Sequence, residues 1–196
     1  MLITVEGLDG AGKSTLVAGL SAALAERGDR VVVLREPGGV EVSERIRELL
    51  KDPALEIDPR AEALLYAAAR AQLVAQELRP LLDSGATVLL DRFVDSSLAY
   101  QGAGRGLGVE EIRALNAFGT GGLTPDRTLL LRIDPSAGLG RIADRPADRL
   151  EQEDVAFFEA IAAAYDALAA EEPERIAVID ASQSAEDVLS DALAAL

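Results

Sequence analysis

Five short runs rich in β-branched residues and leucine, at residues 2–5, 31–34, 87–90, 128–133 and 176–179, recur along the chain. Longer segments with helical spacing separate them, and this alternation predicts an α/β domain built on a parallel sheet. The runs are continuously apolar instead of alternating, as strands buried on both faces require. Helices are predicted over residues 13–27, 42–50, 59 to about 82, 96–100, 110–118, 135–142, 151–171 and 185–196. Asp58 before Pro59 marks the start of the long third helix, because Asp is a preferred N-cap and Pro is favoured at the first helical position. Gly- and Pro-rich pieces at residues 36–39, 102–108, 119–125 and 144–148 are left as loops, where a scaffold of this kind carries its chemistry. No repeat or interdomain linker interrupts the pattern, so residues 1–196 are expected to form a single domain.

Composition then narrows the chemistry. With no Cys and no His in 196 residues, the chain has no disulfide scaffold, no thiol nucleophile, no Ser-His-Asp triad and no imidazole base. Any metal must be a hard ion held by oxygen. The 34 acidic against 19 basic side chains, a net charge of -15, argue against a broad basic surface for nucleic acid or anionic lipid. No apolar run approaches the roughly 20 residues that span a bilayer, and no basic region precedes an apolar one at the start, so a cytoplasmic protein is expected, without nucleic-acid or membrane partners.

Directly after the first strand comes Gly7-Leu8-Asp9-Gly10-Ala11-Gly12-Lys13-Ser14-Thr15, which matches G-x-x-x-x-G-K-[ST] and runs into a helix. The glycines let backbone N–H groups curl around phosphates, and the helix N-terminus adds partial positive charge. Lys13 is expected to bridge the β- and γ-phosphates of a nucleoside triphosphate, and the Ser14 hydroxyl to coordinate Mg2+. Val88-Leu89-Leu90-Asp91 supplies an apolar strand ending in a carboxylate, the expected second metal-linked group, with Arg92 immediately behind it. A Ras-type GTPase would need Asn-Lys-x-Asp, and the only Asn, Asn116, is not followed by Lys. A partitioning or transport ATPase stays open at this point, as does any P-loop small-molecule kinase.

The phosphate loop, Arg35-Glu36-Pro37-Gly38-Gly39, Tyr66-Ala67-Ala68-Ala69-Arg70, Asp91-Arg92-Phe93 and Ala99-Tyr100-Gln101-Gly102 together resemble the thymidylate kinase family. The likeness runs in order over nearly the whole chain. It implies a P-loop NTPase fold, a five-stranded parallel sheet flanked by helices, with a short lid at about residues 140–153. It implies phosphoryl transfer from ATP to dTMP, giving dTDP and ADP for dTTP synthesis, with Mg2+ as cofactor and a homodimer as the assembly. Another nucleoside monophosphate kinase or a deoxynucleoside kinase is the alternative, with a partitioning-type ATPase behind it.

The resemblance also distributes roles, each with a physical sense. Tyr66 and Arg70, four apart on one helix face, would stack on a pyrimidine and donate to a base carbonyl; a core aromatic beside a solvated arginine fits the same spacing. Arg92 would hold the acceptor phosphate, and Asp9 would contact the sugar 3'-hydroxyl. The bulk of Tyr100 would disfavour a ribose 2'-hydroxyl. Ser97 and Gln101 would line the base edge, and Pro37 and Arg35 would close over the acceptor. The loop positions Asp9, Gly10 and Ala11 offer no arginine, so the cation on the transferred group should come from Arg141, Arg145 or Arg149 in the lid. Three arginines at four-residue spacing would also suit a solvated helix face. An acceptor phosphate has a second pKa near ~6 and is already largely ionised, so a missing histidine costs the reaction nothing. Seven cations, Lys13, Arg35, Arg70, Arg92, Arg141, Arg145 and Arg149, are thereby assigned to one cleft, which leaves the excess acid elsewhere.

Overall fold

In the computed structural model, which describes residues 1–142 and 146–196, the five apolar runs become strands β1 (Leu2–Gly7), β2 (Val31–Arg35), β3 (Thr87–Asp91), β4 (Arg127–Arg132) and β5 (Ile176–Asp180). All neighbours pair in parallel, in the order β2-β3-β1-β4-β5. The three central strands are buried almost end to end, which is why their sequences do not alternate. The two edge strands expose Val33 and Val178.

Side chains still alternate across the sheet. Ile3, Val5 and Leu89 join a large core with α1 (Lys13–Glu26), α8 (Val155–Glu171) and α9 (Ala185–Ala194). Leu2, Val88 and Leu90 join a second cluster with Leu73, Leu78 and Phe93. Each of these leucines, fully removed from water, contributes about 1.5–3 kcal/mol. In register, Val5 pairs with Asp91 and Gly7 with Leu131, so the loop after β1 emerges between the C-terminal ends of β3 and β4. Its neighbours lie on both sides of β1, and that crevice is where open α/β sheets bind ligands.

The remaining helices are α2 (Glu41–Lys51), α3 (Pro59–Leu73), α4 (Arg79–Asp83), α5 (Val94–Ser97), α6 (Val109–Thr120) and α7 (Pro135–Ile142). Asp58 caps α3 as expected, its side chain accepting the Arg60 N–H at 2.9 Å. The long helix expected up to about residue 82 is interrupted at Val74–Leu78 by a π turn, in which the Arg79 N–H reaches back to the Val74 carbonyl. Pro80 has no N–H to give the preceding turn, and the wider turn accommodates it. A second π turn, Leu98–Gly104, extends α5, so the helix expected at residues 96–100 starts earlier and takes in Gly102, which the sequence had left as loop. The helix expected from residue 151 begins instead at Val155. Asp154 caps it by accepting the Phe157 N–H at 2.9 Å, and Leu150–Gln152 forms a separate 3-10 turn.

Candidate active site

The phosphate loop is shaped by its glycines. Gly10 has φ 79°, and a Cβ there would run into the Gly138 carbonyl of α7. Gly12, at φ 93°, is the N-cap of α1, and no side chain caps that helix or places an acid in its first turn. The helix therefore presents unopposed N–H groups, as anion-binding helix termini do. Ser14 and Thr15 lie exposed at its mouth. Lys13 is buried, and its Nζ donates to the carbonyls of Gly7 and Leu8 at 3.1 and 2.8 Å. Burial, helped by the nearby Arg92 guanidinium, lowers its ammonium to about 8, against the pull of Asp9, Asp91 and Glu6.

The loop opens on a cleft of about 430 Å3. Asp9, Gly10, Gly12, Lys13, Ser14 and Thr15 line it on one side, and Arg35, Pro37, Tyr66, Arg70, Asp91, Arg92, Ser97, Tyr100 and Gln101 on the others, with Arg141 at its rim. Nearly every residue singled out in the sequence is thus brought to one cavity. Gly7, Leu8 and Ala11 are the exceptions within the loop. Gly7 and Leu8 turn toward a second cavity beside β4, β5 and α8, while Ala11 is buried in the core.

Arg92 is the centre of the acceptor end. It is the sole non-glycine residue with positive φ among those described, at 69°. Such backbone is sparsely populated and persists only where its surroundings over-determine it. Here its Nη1 donates to the Gly7 carbonyl at 3.0 Å and to the Ser96 hydroxyl at 3.2 Å. Its Nη2 donates to Asp9 Oδ1 at 2.7 Å and to the Tyr100 hydroxyl at 3.3 Å, with the Tyr100 ring beneath it. Burial alone would raise Asp9, but Arg92 and Lys13 hold it well below the usual carboxylate range. Burial pushes the Tyr100 and Tyr66 phenols upward, so both are neutral.

Behind Arg92 stands Glu6, a carboxylate near the C-terminal end of β1 with no exposed surface. It accepts the Phe93 N–H at 2.7 Å and the hydroxyls of Ser96 and Tyr165, which ties down the turn that carries Arg92. Burial, with the nearby Asp95, raises Glu6 to about 7.

Arg70 is less available than expected. Its Nε bonds Glu36 at 2.6 Å, its Nη1 bonds Ser97 and Asn116, and its Nη2 bonds the Phe93 carbonyl at 2.9 Å. That leaves one of the five N–H groups of a guanidinium for a base carbonyl. Glu36 itself is raised by burial to about 7, with Arg70 pulling the other way. The solvated-arginine alternative for this pair is overturned, since Arg70 is fully enclosed.

The lid arginines divide. Arg141 reaches the Gly10 carbonyl at 3.3 Å and the Ala181 carbonyl at 3.2 Å. Arg149 is turned away from the cleft, ion-paired to Glu62 at 2.7 Å and bonded to the Leu50 carbonyl at 3.0 Å. The expectation for Arg145 falls outside the described residues. Arg47 and Lys51 of α2, which the sequence did not suggest, also line the cleft; Arg47 bonds the Pro37 carbonyl at 2.8 Å and Lys51 pairs with Asp148 at 2.8 Å. The signal was there: Glu44, Arg47 and Lys51 share one helix face at spacings of three and four.

Asp91 and Ser14 were expected to hold a metal. Asp91 Oδ1 is buried and makes no hydrogen bond. An orphaned carboxylate oxygen and an exposed hydroxyl lining the same cleft suit Mg2+, which keeps several waters and takes few protein ligands. No cluster of three or more acidic side chains that could cage a metal occurs among the described residues.

A parallel sheet with a phosphate loop at its switch point and a second, arginine-floored pocket beside it defines a P-loop nucleotide kinase. The family model for thymidylate kinase matches residues 5–192. The thymidylate kinase of Deinococcus radiodurans is 50% identical, over 100% of this chain and 96% of its own. That of Lactobacillus delbrueckii subsp. bulgaricus is 48% identical, over 96% and 91%. The crystal structure of thymidylate kinase from Ehrlichia chaffeensis superposes with a TM-score of 0.81 at 30% identity, over 99% of this chain and 97% of that one. The chain belongs to the thymidylate kinase family.

Proposed function

We propose that this chain transfers the γ-phosphoryl group of ATP to dTMP, giving dTDP and ADP, a step of dTTP synthesis. The observation that carries this reading is the position of Arg92. One guanidinium touches the first glycine of the phosphate loop and also floors the acceptor pocket. Donor and acceptor phosphates would therefore lie side by side, as direct transfer needs.

In this reading the N-terminus of α1 and Lys13 hold the ATP phosphates. Lys13 exchanges its two carbonyl partners for phosphate oxygens. Arg92 and Arg47 hold the acceptor phosphate, Asp9 meets the sugar hydroxyl, and the Tyr100 ring fills the space a ribose 2'-hydroxyl would need. Tyr66 and Pro37 flank the base, while Arg70, Ser97 and Gln101 read its edge, with Arg35 closing the rim. Ser14 and Asp91 would hold Mg2+, which when bound screens the charge of the phosphates. Residues 140–153 form the lid: Arg141 already rests on the loop at Gly10, and Arg145 and Arg149 are the cations that closure would bring to the transferred group. Closure also excludes water from the reacting phosphates. No general base is needed, because the acceptor phosphate is its own nucleophile.

Among the described residues no helix is long and apolar enough to cross a membrane. We place the enzyme in the cytoplasm with its nucleotide substrates, as a homodimer. Phe118 of α6 is 89% exposed and Leu64 of the neighbouring α3 is 57% exposed, apolar surface that a second copy would cover. The test of the reaction is ADP release from ATP with dTMP, dUMP, UMP, dCMP, dGMP or shikimate as acceptor. dTMP should be the fastest, and equal rates across the acceptors would overturn the reading.

A further inference from the structure

Glu62, the first acidic residue of α3, has no exposed surface, yet none of the roles above uses it. It lies one turn before Tyr66 and two before Arg70 on the same helix, and it reaches the cleft through Gln101, which lines it. Three hydrogen bonds and an ion pair converge on it. Its Oε1 accepts Gln101 Nε2 at 2.9 Å and Arg105 Nε at 3.3 Å. Its Oε2 accepts Arg105 Nη2 at 3.1 Å and pairs with Arg149 Nη2 at 2.7 Å. Arg105 is held in turn by Glu153 at 2.6 Å and by the face of Phe157.

A carboxylate paired with two guanidiniums offers oxygen lone pairs and no proton. The primary amide of Gln101 can be turned either way about its last torsion, and its partner decides which end goes where. Against Glu62 only the N–H2 end fits. The carbonyl oxygen of Gln101 is then the end left for the cleft, which Gln101 lines, and it makes no hydrogen bond among the described residues. An acceptor oxygen at the base edge favours a base that donates there. Thymine carries N–H at ring position 3, whereas cytosine carries a bare nitrogen with a lone pair. Arg70 has a single N–H to spare, which can read the 4-substituent, and an acceptor at ring position 3 adds a second, independent reading.

We propose that Glu62 is a specificity-determining positioning residue: by taking the amide N–H of Gln101 it points the Gln101 carbonyl into the base pocket and so selects thymine over cytosine. The inference rests on the dTMP reading above.

The test compares kcat/KM for dTMP and dCMP in the wild-type chain, Glu62→Gln, Glu62→Asp and Gln101→Met, with circular dichroism to confirm folding. In Glu62→Gln the new amide can donate as well as accept, and Gln101 is free to turn. The dTMP:dCMP ratio should fall at least tenfold, with dCMP activity held or raised and KM for ATP unchanged. Glu62→Asp keeps the charge on Arg105 and Arg149 but withdraws from Gln101, and should lose part of the ratio. Gln101→Met leaves the ion pairs intact and should lose the ratio as well. A folded Glu62 variant in which both acceptors slow in parallel, with the ratio kept, overturns the proposal and makes Glu62 a structural group; an unchanged ratio in Gln101→Met overturns it equally. A wild-type chain that does not prefer dTMP to dCMP instead defeats the reading of the reaction itself.

Discussion

Arg92 Nη2 lies 2.7 Å from Asp9 Oδ1, and the Tyr100 hydroxyl bonds both groups, at 3.3 and 3.2 Å. The ion pair joins the phosphate loop to the turn after β3, so the residue that floors the acceptor pocket is braced by the loop that holds the donor. Its strained backbone is the cost of placing a guanidinium at that junction.

Arg92→Ala should therefore remove most turnover without unfolding the chain. Alanine keeps a Cβ and so gains nothing at the positive φ, and loss of one such charged donor costs about 10²–10³ in rate. Arg92→Lys should recover little, because a single ammonium cannot reach Gly7, Asp9 and the acceptor phosphate together. Steady-state kinetics with dTMP, beside a thermal melt, check both halves. Turnover within tenfold of wild type in either variant removes Arg92 from the mechanism.

Arg70 predicts a different balance. It is enclosed with Glu36 as a buried ion pair at 2.6 Å, and deleting one partner of such a pair costs about 3–5 kcal/mol through the stranded charge. Arg70→Ala should lower the melting temperature markedly as well as weaken dTMP binding. A variant as stable as wild type would show that the pair contributes only to recognition.

The fold was legible because each central strand is buried on both faces and so reads as an unbroken apolar run. The helix boundaries were less so. Glu151 looked like a helical residue, but Asp154 supplies the cap, and a cap competes with propensity over only a few positions. The π turn at Val74–Leu78 could have been suspected from Pro80. The cleft was legible through motifs that sit next to strand ends, where Asp9, Asp91 and Arg92 are placed by register alone. What escaped was contact between distant segments. Arg149 looks like a free lid cation until Glu62, 87 positions earlier, is seen to hold it. Arg70 looks like a donor to substrate until Glu36, Ser97, Asn116 and Phe93 are seen to surround it. Glu6 is a signal within the sequence itself, since a carboxylate inside an apolar strand must have buried donors.

Asp91→Asn tests the metal assignment. Because Oδ1 makes no hydrogen bond in the structure, the amide should fit without disturbing β3. The Mg2+ concentration for half-maximal activity should rise about 10–100-fold, the scale of losing a metal-linked carboxylate. Titration of MgCl2 at fixed ATP and dTMP reads this directly. An unchanged Mg2+ requirement moves the metal site elsewhere.

Lys13 sets the pH dependence of the donor site. Its ammonium is lowered to about 8 by burial and by Arg92, so in the free enzyme it is charged below that pH and neutral above it. A triphosphate binds the charged form, and its own negative charge then holds the proton in place. kcat/KM for ATP should accordingly fall about tenfold per pH unit above about 8, while kcat, which reports the bound complex, should stay level to higher pH. Measurement from pH 6.5 to 9.5 at saturating dTMP separates the two profiles. If kcat/KM for ATP stays flat through pH 9, Lys13 enters the reaction without the electrostatic penalty that its buried position imposes.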